Sequence, residues 1–190
     1  MYKNKIKITG GILKGSYIEI LDKKSQVKPT KSYIREVIFN TVLSVKNFHC
    51  LDLFSGSGIL SAEAISRGAD EITLIEKDKN NCKTIKKEFS RLKIEKYNLI
   101  QTDALEFLNK DCQIRYDLIF LDPPYGTDIL NKSLTLLETK GYLKNSSYLF
   151  FEQHKKEQKK RESSFMDTDW IILKDLSIGE VSYTIAKKRI

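Results

Sequence analysis

Residues 49–67 read HCLDLFSGSGILSAEAISR, and this stretch decides the fold. The apolar run His49 to Leu53 has the length and composition of a buried strand. Gly56 and Gly58 stand in the loop that follows, where glycine allows a tight turn and close approach of the backbone to a ligand. A helix then runs from Ile59 to Arg67 and stops at Gly68. Strand, glycine loop and helix in that order open a βαβ unit.

Toward the C-terminus the alternation repeats. Strands are expected over 71–76, 97–101 and 116–121, with helices over 78–93, 104–109 and 127–139. Helix 78–93 carries Cys82, Ile85, Phe89 and Leu92 on one face. The strand from Tyr116 to Leu121 is almost wholly apolar, as a central parallel strand is. Three strands close the chain, over 148–152, 170–174 and 181–186. The connection between the last two is too short for a helix, so they form an antiparallel hairpin at the edge of the sheet. The expectation is an α/β protein with a doubly wound, Rossmann-like sheet of seven mostly parallel strands.

Toward the N-terminus, Ile6 and Ile8 alternate with lysine, Gly10-Gly11 signals a turn, and Tyr17, Ile18 and Ile20 follow. That pattern predicts a small β-hairpin extension. A polar loop ends at Pro29, and Thr30 is expected to cap a helix running to about Val45. The expected division is an extension over 1–28 and a main domain over 29–190.

Composition narrows the function classes. No run of 18 apolar residues occurs, so no transmembrane helix is expected. The opening MYKNKIKITGG lacks the apolar core of a signal peptide, and a cytoplasmic location is expected. Cys50, Cys82 and Cys112 lie far apart with no CxxC pair, which predicts buried free thiols and neither disulfides nor a metal site. The net charge of +8 favours a polyanionic partner, although a genome rich in A and T would give the same excess of lysine. Residues 1–36 hold nine Lys or Arg against three acids. A second block from Lys155 to Arg161 holds five basic residues and one acid, and the segment from His154 reads as a solvated loop.

In an open α/β sheet, ligands bind over the carboxyl ends of the strands. Asp52, Glu76, Asp103 and Asp122 all fall at such ends. A carboxylate in the position of Glu76 accepts both hydroxyls of a ribose; an ordinary charged strand end is the plainer alternative. Asp103 either accepts from an adenine amino group or caps the next helix. Ser61 stands where a dinucleotide fingerprint would place its third small residue.

The sharpest signal is DPPY, Asp122 to Tyr125. An exocyclic amine of a nucleobase is a poor nucleophile, because its lone pair is delocalised into the ring. Two acceptors, the Asp122 carboxylate and the Pro123 carbonyl, can draw its hydrogens so that the lone pair faces a methyl donor. Pro123 and Pro124 stiffen the loop and remove competing N–H donors. Tyr125 offers a face for stacking, worth about 1–3 kcal/mol per base.

LDLFSGSG (51–58), LIEKD (74–78), TDA (102–104) and DPPY resemble, in order, the motifs of class I S-adenosylmethionine-dependent amino-methyltransferases. With ITGGILKG (8–15) and KPTKSYIREVIFN (28–40), nearly the whole chain is similar to the bacterial small-subunit ribosomal RNA guanine-N2 methyltransferase family. The resemblance implies the class I methyltransferase fold, with S-adenosylmethionine as cofactor. It implies that Asp52, Phe54, Gly56 and Gly58 line the methionine end of the cofactor. Glu76, with Lys77 beside it, holds the ribose, and Asp103 and Ala104 flank the adenine. Asp122 to Tyr125 orient and stack the target guanine. The hairpin with Lys14, and the stretch Lys28, Thr30, Lys31 and Arg35, would contact small-subunit ribosomal RNA, either naked or in an assembling 30S particle. A monomer is expected. Lys28 and Lys31 depart from the family's usual arginine and small polar residue, and a lysine gives a phosphate only a point charge. A DNA adenine-amino methyltransferase, a nicotinamide-dependent oxidoreductase and a non-catalytic RNA-binding module are the competing readings.

Overall fold

The computed structural model describes residues 4–20, 30–156 and 169–190. Strands β3 (His49–Asp52), β4 (Glu71–Ile75), β5 (Tyr97–Ile100), β6 (Tyr116–Leu121), β7 (Leu143–His154), β8 (Trp170–Ile178) and β9 (Val181–Lys188) form one sheet. Its order is β5-β4-β3-β6-β7-β9-β8. The first five strands of that order run parallel, and β9 lies antiparallel between β7 and β8. The C-terminal hairpin therefore joins the sheet through its second strand and leaves β8 at the edge.

Period-two alternation sends successive strand residues into two apolar layers. Cys50, Leu74, Leu118, Phe120 and Phe150 pack in one layer with α1 (Ser32–Val42), α2 (Ile59–Ser66) and α3 (Lys79–Arg91). Leu51, Ile75, Ile119, Leu121 and Phe151 pack in the other with α4 (Ala104–Leu108) and α5 (Ile129–Thr139). Phe120 meets Phe39 at 6.2 Å and Phe150 at 6.4 Å between ring centroids. Each such side chain fully removed from water contributes about 1.5–3 kcal/mol. Trp170 and Phe151 are buried core residues.

The hairpin pairs β1 (Asn4–Lys7) with β2 (Tyr17–Ile20), Ile6 facing Ile18. Ile8 and Ile18 are buried in the layer that holds α1 to α3. The Gly10-Gly11 pair does not make a tight two-residue turn. The loop extends to Ser16, closed by Ile8 N–H on Ser16 O at 2.8 Å. Gly11 has φ +75°, and a Cβ there would lie 1.8 Å from the Ser66 carbonyl oxygen. Glycine is required because this loop presses against the end of α2, where Ile12 N–H donates to that same oxygen at 2.7 Å.

Several expected boundaries move. α1 begins after Lys31, its N-cap, which makes no side-chain capping bond, so Thr30 does not cap the helix. Leu43 at φ 67° ends α1 early, and Val45 turns back into the core. β7 starts at Leu143; a shift of register against β6 between Tyr116 and Leu118 accommodates its polar first half. β8 runs on to Ile178 because an edge strand needs no apolar alternation. His154 is the last residue of β7 and not part of a loop, while the basic residues 159–161 lie outside the described residues. Cys50 and Cys82 are buried free thiols, but Cys112 is only half-buried. No helix among the described residues is long and apolar enough to cross a membrane.

Candidate active site

The two-residue alternation of the strands holds to their carboxyl ends and, in β4 and β6, one residue beyond. Cys50, Leu74, Phe120 and Phe150 all point into the α1–α3 layer. Two residues after each comes an acid: Asp52, Glu76, Asp122 and Glu152. Four carboxylates thereby gather on one face of the sheet at the carboxyl ends of β3, β4, β6 and β7. These strands flank the point where chain order reverses about β3, the usual crevice of a doubly wound sheet.

Asp52 is 2% exposed, and its Oδ2 accepts the Ser61 hydroxyl at 2.7 Å. Burial pushes its carboxyl up to about 7, with the nearby charge of Glu76 adding to the rise and the Ser61 hydrogen bond opposing it. The glycine loop is tied down on three sides. Leu53 N–H donates to Phe120 O at 3.1 Å, Ser55 N–H to Ile75 O at 3.1 Å, and Gly56 N–H to Glu76 Oε2 at 2.7 Å. Gly58 has φ +74°, and a Cβ on it would press on Ile85 and Phe89 at 3.2 Å. Its smallness thus serves the packing of α3 against the loop.

Glu76 is buried and accepts a second main-chain donor, Asp78 N–H, on Oε1 at 2.7 Å. Each carboxylate oxygen has a further lone pair beyond these bonds. Lys77 is exposed beside it. Asp103 caps α4, its Oδ1 taking Leu105 N–H at 2.8 Å, so the capping alternative holds for that oxygen. Ala104 is buried under the same turn, and Phe54 is partly buried against the α4–α5 layer.

At the DPPY corner, Asp122 is half-buried and its carboxyl is held well above the usual range, first by burial and then by the charges of Glu152 and Asp52. Pro123 is buried. The Pro124 carbonyl accepts the Thr127 hydroxyl at 2.8 Å, which closes the loop on itself. The ring of Tyr125 is 42% exposed, contacts His154 edge-on at 6.3 Å, and its hydroxyl donates to Glu152 Oε1. Burial raises Glu152 to about 7 against the opposing charge of Lys31. Tyr183, paired with Glu152 across β7 and β9, has its phenol raised by burial and by Glu152, Tyr33 and Asp122. The start of α1, Lys31 and Tyr33, therefore stands beside the Asp-Pro-Pro-Tyr corner.

Glu152 was not among the residues picked out from the sequence. Its signal is present: LFFE ends an apolar strand in an acid, as CLD, LIE and FLD do. The N-terminal residues sort differently from expectation. Lys14 and Lys31 are exposed, and Lys28 lies outside the described residues. Arg35 is 1% exposed and Thr30 is buried. The Arg35 guanidinium donates to Glu63 Oε1 at 3.2 Å, to Lys7 O at 2.6 Å and to Thr30 O. Buried and fully engaged, Arg35 cannot reach a phosphate, so its expected RNA contact is withdrawn. Thr30 is withdrawn with it, since its side chain is buried and its carbonyl is committed to Arg35.

The family described as conserved hypothetical protein 95 matches residues 6–187. The ribosomal RNA small subunit methyltransferase D of Buchnera aphidicola (subspecies Acyrthosiphon pisum) is 38% identical over 90% of this chain and 87% of its own length. The protein of that name from Haemophilus influenzae is 30% identical over 96% of this chain and 94% of its own. A solved structure from Escherichia coli, assigned as a methyltransferase, superposes with a TM-score of 0.85 at 27% identity, covering 98% of this chain and 99% of that one.

Proposed function

Since the chain belongs to the family of the ribosomal RNA small subunit methyltransferase D proteins, we propose that it transfers a methyl group from S-adenosylmethionine to the exocyclic N2 amine of a guanine in small-subunit ribosomal RNA. The observation that carries this reading is the corner where Asp122, Tyr125 and Glu152 meet beside Asp52 and Glu76 on one face of the sheet.

The residues present suit a nucleoside-bearing donor. Glu76 is fixed by two main-chain N–H groups while keeping lone pairs for ribose hydroxyls. Asp52 and Phe54 stand by the rigid glycine loop, and Asp103 and Ala104 by the adenine side. When bound, the donor supplies an electrophilic methyl carbon on a sulfonium. The protein's part is to hold and orient the base. Asp122 and the Pro123 carbonyl accept the two amine hydrogens and turn the nitrogen lone pair toward the methyl group. Tyr125 stacks on the base, which must be unpaired or turned out of its helix to reach the corner. Lys14 and Lys31 contact phosphates, Lys31 nearest the target nucleotide because it stands beside Glu152. The substrate is the RNA alone or within an assembling 30S particle, and the protein acts as a monomer in the cytoplasm.

The test is transfer of labelled methyl to small-subunit ribosomal RNA and to 30S particles, with DNA as control and the modified nucleoside identified by mass spectrometry. N2-methylguanosine in RNA, lost in Asp122→Ala, is the expected result. Methylated adenine in DNA, or undiminished transfer by Asp122→Ala, overturns the assignment.

A further inference from the structure

We propose that Glu152 is a further catalytic residue, forming with Asp122 a two-carboxylate pair that takes up the proton released by the methylated amine. The inference rests on the function proposed above and adds the proton acceptor to it.

The geometry starts from strand register. Leu121 pairs with Phe151 between parallel β6 and β7, so the next residues, Asp122 just past β6 and Glu152 near the end of β7, lie side by side. Both follow the alternation into the same layer, behind Phe120 and Phe150. Glu152 is 8% exposed and has no hydrogen-bonded cation among the described residues. Its Oε1 accepts the Tyr125 hydroxyl, and no hydrogen bond from a described residue reaches its Oε2. A glutamine would serve Tyr125 as well and would escape the cost of a buried charge. A carboxylate kept here against that cost points to a task that needs its basicity.

The chemistry asks for such a group. As the amine lone pair forms the new N–C bond, the C–S electron pair leaves with sulfur. The nitrogen then carries one proton more than a neutral amine. That proton passes to the carboxylate pair, which loses one negative charge, and later goes to solvent. A member poised near neutrality suits this, and Glu152 stands at about 7. Two like charges so close cannot both ionise easily, so the pair titrates as a unit. The groups facing it are Asp52 beyond Asp122, Tyr125 and His154 on the outer side, Tyr183 from β9, and Lys31 and Tyr33 from the start of α1.

The test uses the full chain, small-subunit ribosomal RNA and labelled donor in single turnover. The wild-type rate should rise with pH and level off above about 7. Glu152→Gln keeps an acceptor for Tyr125 and should lose about 100-fold in rate. Its affinity for S-adenosylhomocysteine and for RNA should stay within about twofold, and its pH profile should shift to lower pH because Asp122 no longer faces a like charge. In the free protein, carboxyl carbon resonances should show Asp122 titrating at lower pH in Glu152→Gln than in wild type, because the Glu152 charge that raises it is gone. Wild-type rate and profile in Glu152→Gln, or an Asp122 titration indifferent to Glu152→Gln, overturns the role. If the wild-type chain methylates no exocyclic amine in RNA, the proposed function falls and this role with it. An active wild type with an equally fast Glu152→Gln removes this role alone.

Discussion

The guanidinium of Arg35 donates to Glu63 Oε1 at 3.2 Å where neither side chain is open to water, 1% and 0% exposed. Glu63 also accepts Thr9 N–H at 2.7 Å and the Arg67 guanidinium at 3.2 Å. One buried carboxylate thus ties the hairpin loop, α1 and α2 together, and α1 carries Lys31 to the rim of the site. Removing one partner of such a pair strands the other charge. Glu63→Gln and Arg35→Met should each destabilise the protein by about 3–5 kcal/mol in urea unfolding. Arg35→Lys should rescue little, because an ammonium cannot reproduce the planar fork that serves Glu63, Lys7 and Thr30 together.

Tyr125 has two separable parts, an exposed ring and a hydroxyl bound to Glu152. Tyr125→Ala should weaken productive binding of RNA by about 1–3 kcal/mol, read as a rise in KM for RNA. Tyr125→Phe should keep that KM near wild type and change mainly kcat. Equal KM values in Tyr125→Ala and wild type would remove the ring from base binding.

Glu76 holds Gly56 N–H and Asp78 N–H as well as the proposed ribose site. Glu76→Ala should weaken S-adenosylhomocysteine in calorimetry by about 1.5–3 kcal/mol, the worth of hydrogen bonds to a charged group. A larger effect on the ribonucleoside product than on its 2′-deoxy analogue would tie the loss to the ribose.

Burial holds Asp52 at about 7, well above the range of a carboxyl in an unfolded chain. Between those values the native state keeps a proton that the unfolded chain has released. Stability therefore falls as pH rises from about 4 to about 7, and Glu152 acts in the same direction. Thermal melts should show Tm declining from pH 5 to pH 8. Asp52→Asn should flatten the decline and melt above wild type at pH 8, while matching it at pH 5. A wild-type Tm that rises across this window would contradict the buried, raised carboxyls.

Gly11 and Gly15 both have positive φ, +75° and +90°, but only Gly11 faces a neighbour, the Ser66 carbonyl. Gly15→Ala should cost only the strain of its backbone conformation, about 1–2 kcal/mol. Gly11→Ala should cost distinctly more, since the loop must also lift off α2. Chemical denaturation of the two variants compares them directly.

Much of this was readable from the chain. Strand β6 and helix α3 follow from an unbroken apolar run and a regular apolar stripe, both local patterns. Asp52 and Asp122 were recognisable because each closes an apolar strand before a glycine loop or a proline corner, and Glu76 because it closes the next apolar strand after the glycine loop. Asp103 could be read two ways, and the structure places its Oδ1 on the Leu105 N–H of α4. The start of β7 escaped because LKNSS carries no alternation; its strand geometry comes from pairing with β6. Glycines 10 and 11 looked like a turn, whereas their reason lies in Arg67 and Ser66, far along the chain.

The sequence by itself determined the order of elements, the seven-stranded sheet and three of the four acids that share one face at its carboxyl edge, because alternation and helical spacing are written in neighbouring residues. Tertiary structure alone decided that Arg35 is a buried strut and that Glu152 joins Asp122. Both facts depend on contacts between residues about 30 positions apart, 28 for Arg35 and Glu63. Only chain packing and strand register bring such residues together, and no local pattern records which partner a buried charge will meet.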